Sequence, residues 1–394
     1  MDPVRNPYAP GAGQRPPELA GRDRELDQFA VVLERVALGR PERSLVLTGL
    51  RGVGKTVLLN ALRSQAIGRA WATGKIEARG DQSLRRPVAS AVYAAIREIG
   101  ARHRGEDRVR GFLSVLKAFS VKASPDGSWQ LGLEVDATRG RADSGDLEID
   151  LTELFLDAAE VARDLGVGVA LFVDEMQDVP ATDLAALCGA VHEVGQQAAP
   201  LVVVGAGLPH LPGVLSSSKS YAERLFRYLA IDRLDPAATD AALVVPAERE
   251  GVTYTRAALD LLARESGGYP YFVQAYGQAT WDAAVGNPIT EDDVQAGLPQ
   301  AQSELAVGFF GSRFERATPA ERAYLRAMAE LVPGDDGSVT TSAVAKALGK
   351  RVSSLSVARE SLIRKGLVYS GERGQIAFTV PHFARFLRAA PPAE

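Results

Sequence analysis

Short apolar runs and longer amphipathic stretches alternate through roughly the first 235 residues of the chain. Continuous apolar runs of four to six residues are typical of strands that are covered on both faces. The stretches between them repeat apolar residues at helical spacing. This alternation predicts an α/β fold, a parallel sheet with helices on both faces. The predicted strands are 44–48, 76–79, 169–173 and 201–204, and the predicted helices are 57–67, 88–99, 151–165 and 184–194.

Other patterns divide the rest of the chain. Residues 1–18 carry prolines at positions 3, 7, 10, 16 and 17, which predicts a disordered arm. Between the sheet elements, segments 119–122 and 129–135 flank the turn-forming residues 124–128, so we expect a β-hairpin there. After residue 235 the apolar runs stop, and helical patterns at 240–250, 256–265 and 272–285 predict a small helical domain.

The C-terminal region begins with a strong helix start. Thr318 is followed by proline and, three residues on, by Glu321, which is the pattern of a capping box. Helical patterns at 319–330, 341–348 and 353–365 precede two short strands, 366–369 and 375–378. Three helices followed by a hairpin predict a winged helix-turn-helix. The expected division is an arm at 1–18, an α/β core at 19–234, a small helical domain at 235–312 and a winged helix at 313–390.

Composition and charge narrow the class of protein. The formal net charge of −4 excludes a strongly basic nucleic-acid coat, although residues 313–388 hold 13 lysines and arginines against 7 aspartates and glutamates. No apolar stretch approaches the ~20 residues that cross a bilayer, and the N-terminus lacks the pattern of a signal peptide. The single cysteine, Cys188, excludes an internal disulfide and lies in an apolar run. We expect a cytoplasmic protein without membrane association.

A glycine-rich motif follows the first predicted strand and precedes a predicted helix. It fits G-x-x-x-x-G-K-[ST], the pattern of a phosphate-binding loop. Glycines let the backbone wrap closely around phosphates, so that amide N–H groups and the helix N-terminus face the negative charge. We expect Lys55 to reach the β- and γ-phosphates of ATP and Thr56 to ligate Mg²⁺. The predicted nucleotide-binding residues of this loop are Gly49, Leu50, Arg51, Gly52, Val53, Gly54, Lys55, Thr56 and Val57.

Two carboxylates end the apolar strand 169–173. In open α/β sheets, ligands bind at the carboxyl ends of the strands, where Asp174 and Glu175 are expected to lie. Asp174 would hold Mg²⁺, directly or through water, and Glu175 would polarise the attacking water as the catalytic residue. Alone, an acidic pair at a strand end is most often solvated surface; a phosphate-binding loop about 120 residues upstream favours the functional interpretation.

Together these elements resemble the AAA+ class of P-loop ATPases. The narrower resemblance is to the branch that joins archaeal origin-recognition initiators, related archaeal ATPases and signalling ATPases of the STAND type. Residues 21–25 look like the G-R-x-x-E box that borders adenine in this branch, which assigns Gly21 and Arg22 to the nucleotide site. Residues 268–270 look like the G-x-P element of the lid, in which Pro270 would touch the base. The resemblance spans about residues 19–388 and implies a helical lid and a winged helix.

One feature, the end of the strand 201–204, departs from that family, and one assignment, the arginine finger, stays open. The strand 201–204 leads into Gly205-Ala206-Gly207, where the family usually places a polar or basic sensor, so the resemblance implies slow hydrolysis here. Residues 220–227 lie where the family often places an arginine finger. Arg224 is the first candidate and Arg227 the second; a finger acting in trans would require a homo-oligomer.

Two functions remain open at this point. In the first, an ATPase uses ATP to set its winged helix, residues 341–375, on duplex DNA. Lys346, Lys350, Arg351, Arg359, Arg364, Lys365 and Arg373 would then contact phosphates. In the second, a nucleotide-gated signalling or defence switch uses the winged helix to bind protein. A metabolic kinase fits the predicted lid and winged helix poorly.

Overall fold

The centre of the protein, described here from a computed structural model, is a five-stranded parallel sheet. The structure describes residues 1–103, 106–123, 133, 135–334, 337–372 and 374–389. The strand order is β2-β3-β4-β1-β5, so the first strand lies inside the sheet between later ones. The strands are β1 (Ser44–Thr48), β2 (Ala72–Glu77), β3 (Val169–Asp174), β4 (Leu201–Gly207) and β5 (Phe226–Ala230).

Helices cover both faces of the sheet, as the alternation predicts. Leu45 and Leu47 point into one buried cluster, and Val46 points into the other, because successive strand side chains alternate between faces. Helices α1 (Asp23–Ala37) and α2 (Lys55–Gly68) cover the first face. The second face is covered by α3 (Arg85–His103), α4 (Glu106–Ala123), α5 (Leu147–Asp164) and α6 (Ala181–Gln196), followed by the short α7 (Leu211–Ser218) and α8 (Ala222–Leu225).

A helical region follows the sheet and packs into the same hydrophobic cluster as Leu45 and Leu47 on the first face of the sheet. Side-chain caps start three of its helices: Asp235, Thr255 and Thr290 each accept a hydrogen bond from a backbone N–H in the first turn. The elements are α9 (Pro236–Arg249), α10 (Arg256–Ser266), α11 (Pro270–Ala283), α12 (Glu291–Glu304), a π-helical segment (Leu305–Gly311) and α13 (Ser312–Glu315).

The C-terminal region forms three helices, a small antiparallel sheet and a closing helix. The capping box at Thr318 and Glu321 is present, as predicted. The sheet order is β6-β8-β7. The elements are α14 (Pro319–Leu331), β6 (Ser338–Thr340), α15 (Thr341–Ala347), α16 (Ser356–Arg364), β7 (Val368–Tyr369), β8 (Gln375–Phe378) and α17 (Phe383–Ala389). None of the described helices combines the length and apolar character that a bilayer crossing requires.

The predicted β-hairpin at 119–135 is wrong in its first half. Residues 119–122 lie inside α4, where Phe112, Leu116 and Phe119 are buried at helical spacing against the second face of the sheet. That spacing of four and three residues is helical, and the alternation of 119–122 is too short to compete with it. The turn 124–128 lies outside the described residues.

The N-terminal residues are packed, which corrects the expectation of a disordered arm at 1–18. The Tyr8 side chain is 3% exposed, and its hydroxyl donates to the Leu243 carbonyl at 2.6 Å. The Trp281 indole donates to the Asp2 carbonyl at 3.0 Å. Prolines favour an extended chain but do not prevent an extended chain from docking. Tyr8 supplies the buried aromatic surface that holds the segment on the helical region.

Tyr8→Ala should therefore destabilise the whole protein. Deleting a buried aromatic side chain costs roughly 3 kcal/mol in the free energy of unfolding, here together with a lost hydrogen bond. Denaturant unfolding of the full chain measures the change. Val4→Ala is the matched control, since Val4 lies in the same segment and is 92% exposed. Equal stability of the two variants would show that the segment is not docked.

Candidate functional site

The glycine-rich loop connects β1 to α2 and takes a conformation that only glycines adopt easily. Gly52 and Gly54 have φ angles of 85° and 89°. A side chain at Gly49 would collide with the Ile231 carbonyl, so that position also excludes any Cβ. The loop ends at the N-terminus of α2, where the first N–H groups have no helical partner. This arrangement is a backbone cradle for an anion.

Lys55, at the start of α2, folds its ammonium group back over the loop. Its Nζ donates to the carbonyls of Gly49 at 2.9 Å and Leu50 at 2.8 Å. Burial lowers the pKa of Lys55 to about 8, with Glu175 opposing the shift. Because the charged form is the one that burial disfavours, a bound anion would restore the proton affinity of this amine.

Thr56 and Asp174 meet between α2 and the end of β3. The Thr56 side chain faces the buried Asp174 carboxylate. Burial raises the pKa of Asp174, although the Thr56 side chain offsets part of the effect. A hydroxyl and a carboxylate that share one corner are oxygen donors of the kind that Mg²⁺ prefers.

Glu175 follows Asp174 in a left-handed backbone conformation, with φ 49° and ψ 41°. Such a conformation costs roughly 1–3 kcal/mol for a residue with a side chain, so neighbouring contacts must hold it. Arg51 Nη1 lies 3.1 Å from one carboxylate oxygen, and Gln177 Nε2 donates to the other at 2.6 Å. Burial alone would raise the pKa of Glu175, but Arg51, Gln177 and Lys55 outweigh it and lower that pKa. The carboxylate is therefore ionised at neutral pH.

These groups face one cavity of about 420 Å³, a size that suits a small ligand. Its walls come from the glycine-rich loop, the ends of β3 and α11, the π-helical segment and residues 9–20 of the N-terminal segment. Arg313 lines the far side, stacked on Phe309 at 4.2 Å. Burial and then the nearby Arg51 lower the pKa of Arg313, so an anion between the two guanidinium groups would be stabilised.

The structure brings Arg22 and Pro270, one residue from each family-like element, to this cavity. Arg22 is buried and donates to the carbonyls of Val53 at 3.1 Å and Asp232 at 2.7 Å, so it fixes the backbone of the loop. Gly21 adopts a φ of 67° just before it. Pro270 begins α11 beside Gly54 and lines the cavity. Every loop residue predicted to bind nucleotide from Arg51 to Val57 also lines it.

Comparison with known protein families agrees with this geometry. Residues 18–204 match the family model described as the AAA ATPase domain. This part of the chain is therefore similar to AAA ATPase domains. Residues 307–387 match a second family model, a domain of unknown function designated DUF8462. A comparison with curated proteins finds no match.

A solved structure shares the fold of this chain. The Walker-type ATPase PABY2304 of Pyrococcus abyssi aligns with a TM-score of 0.61 and 15% identity, over 95% of this chain and 97% of that one. Two likenesses are weaker. The Aeropyrum pernix Orc1 protein in complex with DNA aligns with a TM-score of 0.46 and 16% identity, over 97% of this chain and 95% of that one. The Thermotoga maritima RuvB Holliday junction branch migration motor aligns with a TM-score of 0.45 and 19% identity, over 97% of this chain and 100% of that one. The first alignment supports the fold alone, a P-loop NTPase core with further elements.

The candidate arginine fingers, Arg224 and Arg227, lie away from the cavity. Arg224 is exposed in α8, and Arg227 is half-buried on β5, the edge strand beside β1. Neither lines the cavity of its own chain. A role for Arg224 therefore requires a second copy of the chain, and it stays a prediction.

Three side chains at the site were not predicted from the sequence. The guanidinium of Arg51 pairs with Glu175, although only the loop backbone of that residue was expected to act. Gln177 binds the other carboxylate oxygen of Glu175, and Arg313 closes the cavity from the end of the helical region. The sequence pattern around each of these side chains indicates little. Each is a single polar residue that either belongs to no specific motif or has its partner far away in the sequence.

Proposed function

We propose that the chain binds and hydrolyses ATP, with Mg²⁺, and that its nucleotide state controls a C-terminal winged helix that binds duplex DNA. The proposal assigns residues 19–234 to the ATPase core, 235–312 to a lid and 313–390 to the winged helix. One observation carries the control step: Arg51 of the phosphate-binding loop is bonded both to Glu175 and to the C-terminal region.

The residues present fit a nucleoside triphosphate with Mg²⁺. Gly52 and Gly54 adopt left-handed backbone conformations, and no Cβ fits at Gly49. The loop can therefore bind a ligand that approaches its backbone closely. Lys55 and Arg313 would contact the phosphates, and Thr56 and Asp174 would hold the metal. Bound Mg²⁺ supplies neutralisation of the charge on the phosphate oxygens.

The chain's own groups divide the chemistry between them. The ionised Glu175 carboxylate would accept a hydrogen bond from the attacking water and take its proton. The Lys55 ammonium would leave the carbonyls of Gly49 and Leu50 and turn to the phosphates, a stronger, charge-assisted contact. Pro270 and the segment 9–20 would cover the base and exclude water from this side of the cavity.

The link to the C-terminal region passes through Arg51. Its backbone N–H donates to the Thr379 carbonyl at 2.8 Å, and its Nε donates to the Gly366 carbonyl at 3.3 Å. A Cβ at Gly366 would lie 2.7 Å from Arg51 Nη2, so the chain passes close over the guanidinium. A phosphate that draws Arg51 away from Glu175 would also disturb these two contacts. Nucleotide binding and the position of the C-terminal region are thereby coupled.

The elements of the C-terminal region support a winged helix. Helices α14, α15 and α16 precede an antiparallel pair, β7 and β8, in the order that the motif requires. Lys346, Lys350, Arg351 and Arg364 are exposed, and Arg359 is half-buried. Lys365 is held instead by Glu321 at 2.6 Å, so we withdraw it from the expected phosphate contacts. Arg373 lies outside the described residues.

Binding to random-sequence duplex DNA at two salt concentrations, with and without ATP, tests the proposal. We expect affinity that depends on ATP and falls steeply with salt, because released counterions drive phosphate binding. Lys350→Ala combined with Arg351→Ala should reduce the salt slope by about two. Arg385→Ala is the control. Arg385 lies on α17, outside the proposed DNA-binding residues 341–375, and pairs with Glu265 at 3.1 Å.

Two outcomes would contradict the proposal, the first its DNA binding and the second its coupling through Arg51. The first is an absence of binding at low salt. The second is DNA binding by Arg51→Ala that responds to ATP as the wild type does, because the coupling would then bypass Arg51. A protein partner is the second candidate, and one observation favours it: Val357 of α16 is 77% exposed, and Val352, which precedes that helix, is 42% exposed.

A further inference from the structure

The end of β4 lacks the polar side chain that would be expected beside a bound triphosphate. Gly205 and Gly207 lie on the same face of this strand, two residues apart. In the structure, side chains from the turn that follows β3 (Met176–Asp178) occupy the space beside both glycines. Met176 Sδ occupies the space beside Gly205, and a Cβ at Gly207 would lie 2.5 Å from Gln177 Oε1.

Both ends of the Gln177 amide are used. Its Oε1 accepts a hydrogen bond from the Leu208 N–H at 3.0 Å, just beyond β4. This contact leaves the amide nitrogen to donate, and it donates to Glu175 Oε2 at 2.6 Å. Gln177 therefore ties the carboxylate to the end of β4, on the side opposite Arg51.

Gln177 does not line the nucleotide cavity, whereas Glu175 does. The left-handed backbone of Glu175 needs support from its surroundings, and the Asp178 N–H also donates to the Glu175 carbonyl at 2.8 Å. The same short turn thus restrains both the backbone and the side chain of Glu175.

We propose that Gln177 is a positioning residue that replaces the side chain absent from β4 and aims the Glu175 carboxylate at the attacking water. The inference rests on the proposed ATPase function. It also explains why position 207 is a glycine, since a larger residue there would displace the Gln177 amide.

The test compares ATP hydrolysis and ATP binding in Gln177→Met, which keeps the length of the side chain and removes its amide. We expect kcat to fall roughly 10- to 100-fold, because small displacements of a reacting group have effects of this size. The KM and the Kd for ATP should stay within about twofold, since Gln177 does not line the cavity. A side chain that only supported the fold would not separate kcat from Kd in this way.

Gly207→Ala approaches the same contact from β4. It should lower kcat as Gln177→Met does, and adding Gln177→Ala to it should cause little further loss, because both changes remove one interaction. Gly213→Ala in α7 is the control: no atom lies within 4 Å of a Cβ at that position, so the change should leave Gln177 in place and kcat near the wild-type value.

The outcomes separate this inference from the function on which it rests. A wild-type chain that binds ATP and never hydrolyses it would overturn both. A wild-type chain that hydrolyses ATP, with Gln177→Met equally fast or altered only in Kd, would overturn the role of Gln177 alone.

Discussion

Glu175→Gln is expected to bind ATP with nearly the wild-type affinity and to hydrolyse it roughly 10²- to 10⁴-fold more slowly, the contribution of a general base. Glutamine keeps the size of the side chain and can still face Arg51 and Gln177, which lie 3.1 Å and 2.6 Å from the two carboxylate oxygens. An amide, however, cannot take a proton from water. Calorimetric ATP binding and single-turnover hydrolysis, both with Mg²⁺, measure the two effects separately.

The matched control is Glu77→Gln, the same change one strand away. Glu77 ends β2 directly opposite Asp174 in the sheet, is exposed and does not line the cavity. It should hydrolyse ATP at the wild-type rate. If Glu175→Gln turned over as fast as Glu77→Gln, the base would be another group. A Glu175→Gln variant that lost ATP binding would instead show that the carboxylate supports the loop through Arg51.

The sequence predicted the parts of the site that depend on short segments. The glycine-rich loop, its strand and its helix are contiguous, so one motif determines their order and their chemistry. The central strands β3 and β4 are buried on both faces, and their continuous apolar runs show it. Strand β5 was missed because it lies at the edge of the sheet, where only Phe226 of its residues is buried.

Contacts between distant segments could not be predicted from a single sequence. Arg51 meets Gly366 across 315 positions of the chain, and neither residue carries a local pattern that indicates the other. The glycines of β4 indicated a missing side chain but not its replacement by Gln177 from a neighbouring turn. Tyr8 similarly docks on Leu243, although the prolines of residues 1–18 predicted disorder. In each case tertiary packing, rather than local propensity, decides the structure.

Lys55→Ala is expected to weaken ATP binding by roughly 100-fold or more. The ammonium group would supply charge-assisted hydrogen bonds to the phosphates, each contributing about 1.5–3 kcal/mol. Calorimetry with nucleotide-free protein, Mg²⁺ and ATP measures the loss. Lys219→Ala is the control, because Lys219 pairs with Glu148 at 2.9 Å and does not line the cavity.

The hydrogen bonds that Lys55 makes within the loop give this variant a second measurable property. Lys55 donates to the carbonyls of Gly49 and Leu50, so Lys55→Ala leaves two loop carbonyls without these contacts. A lower melting temperature without ATP, together with no stabilisation on adding ATP, is the expected combination, since only a ligand that binds the folded state raises the melting temperature. If ATP stabilised Lys55→Ala as strongly as Lys219→Ala, the cavity would not hold a triphosphate through this loop, and the ATPase proposal would fail with it.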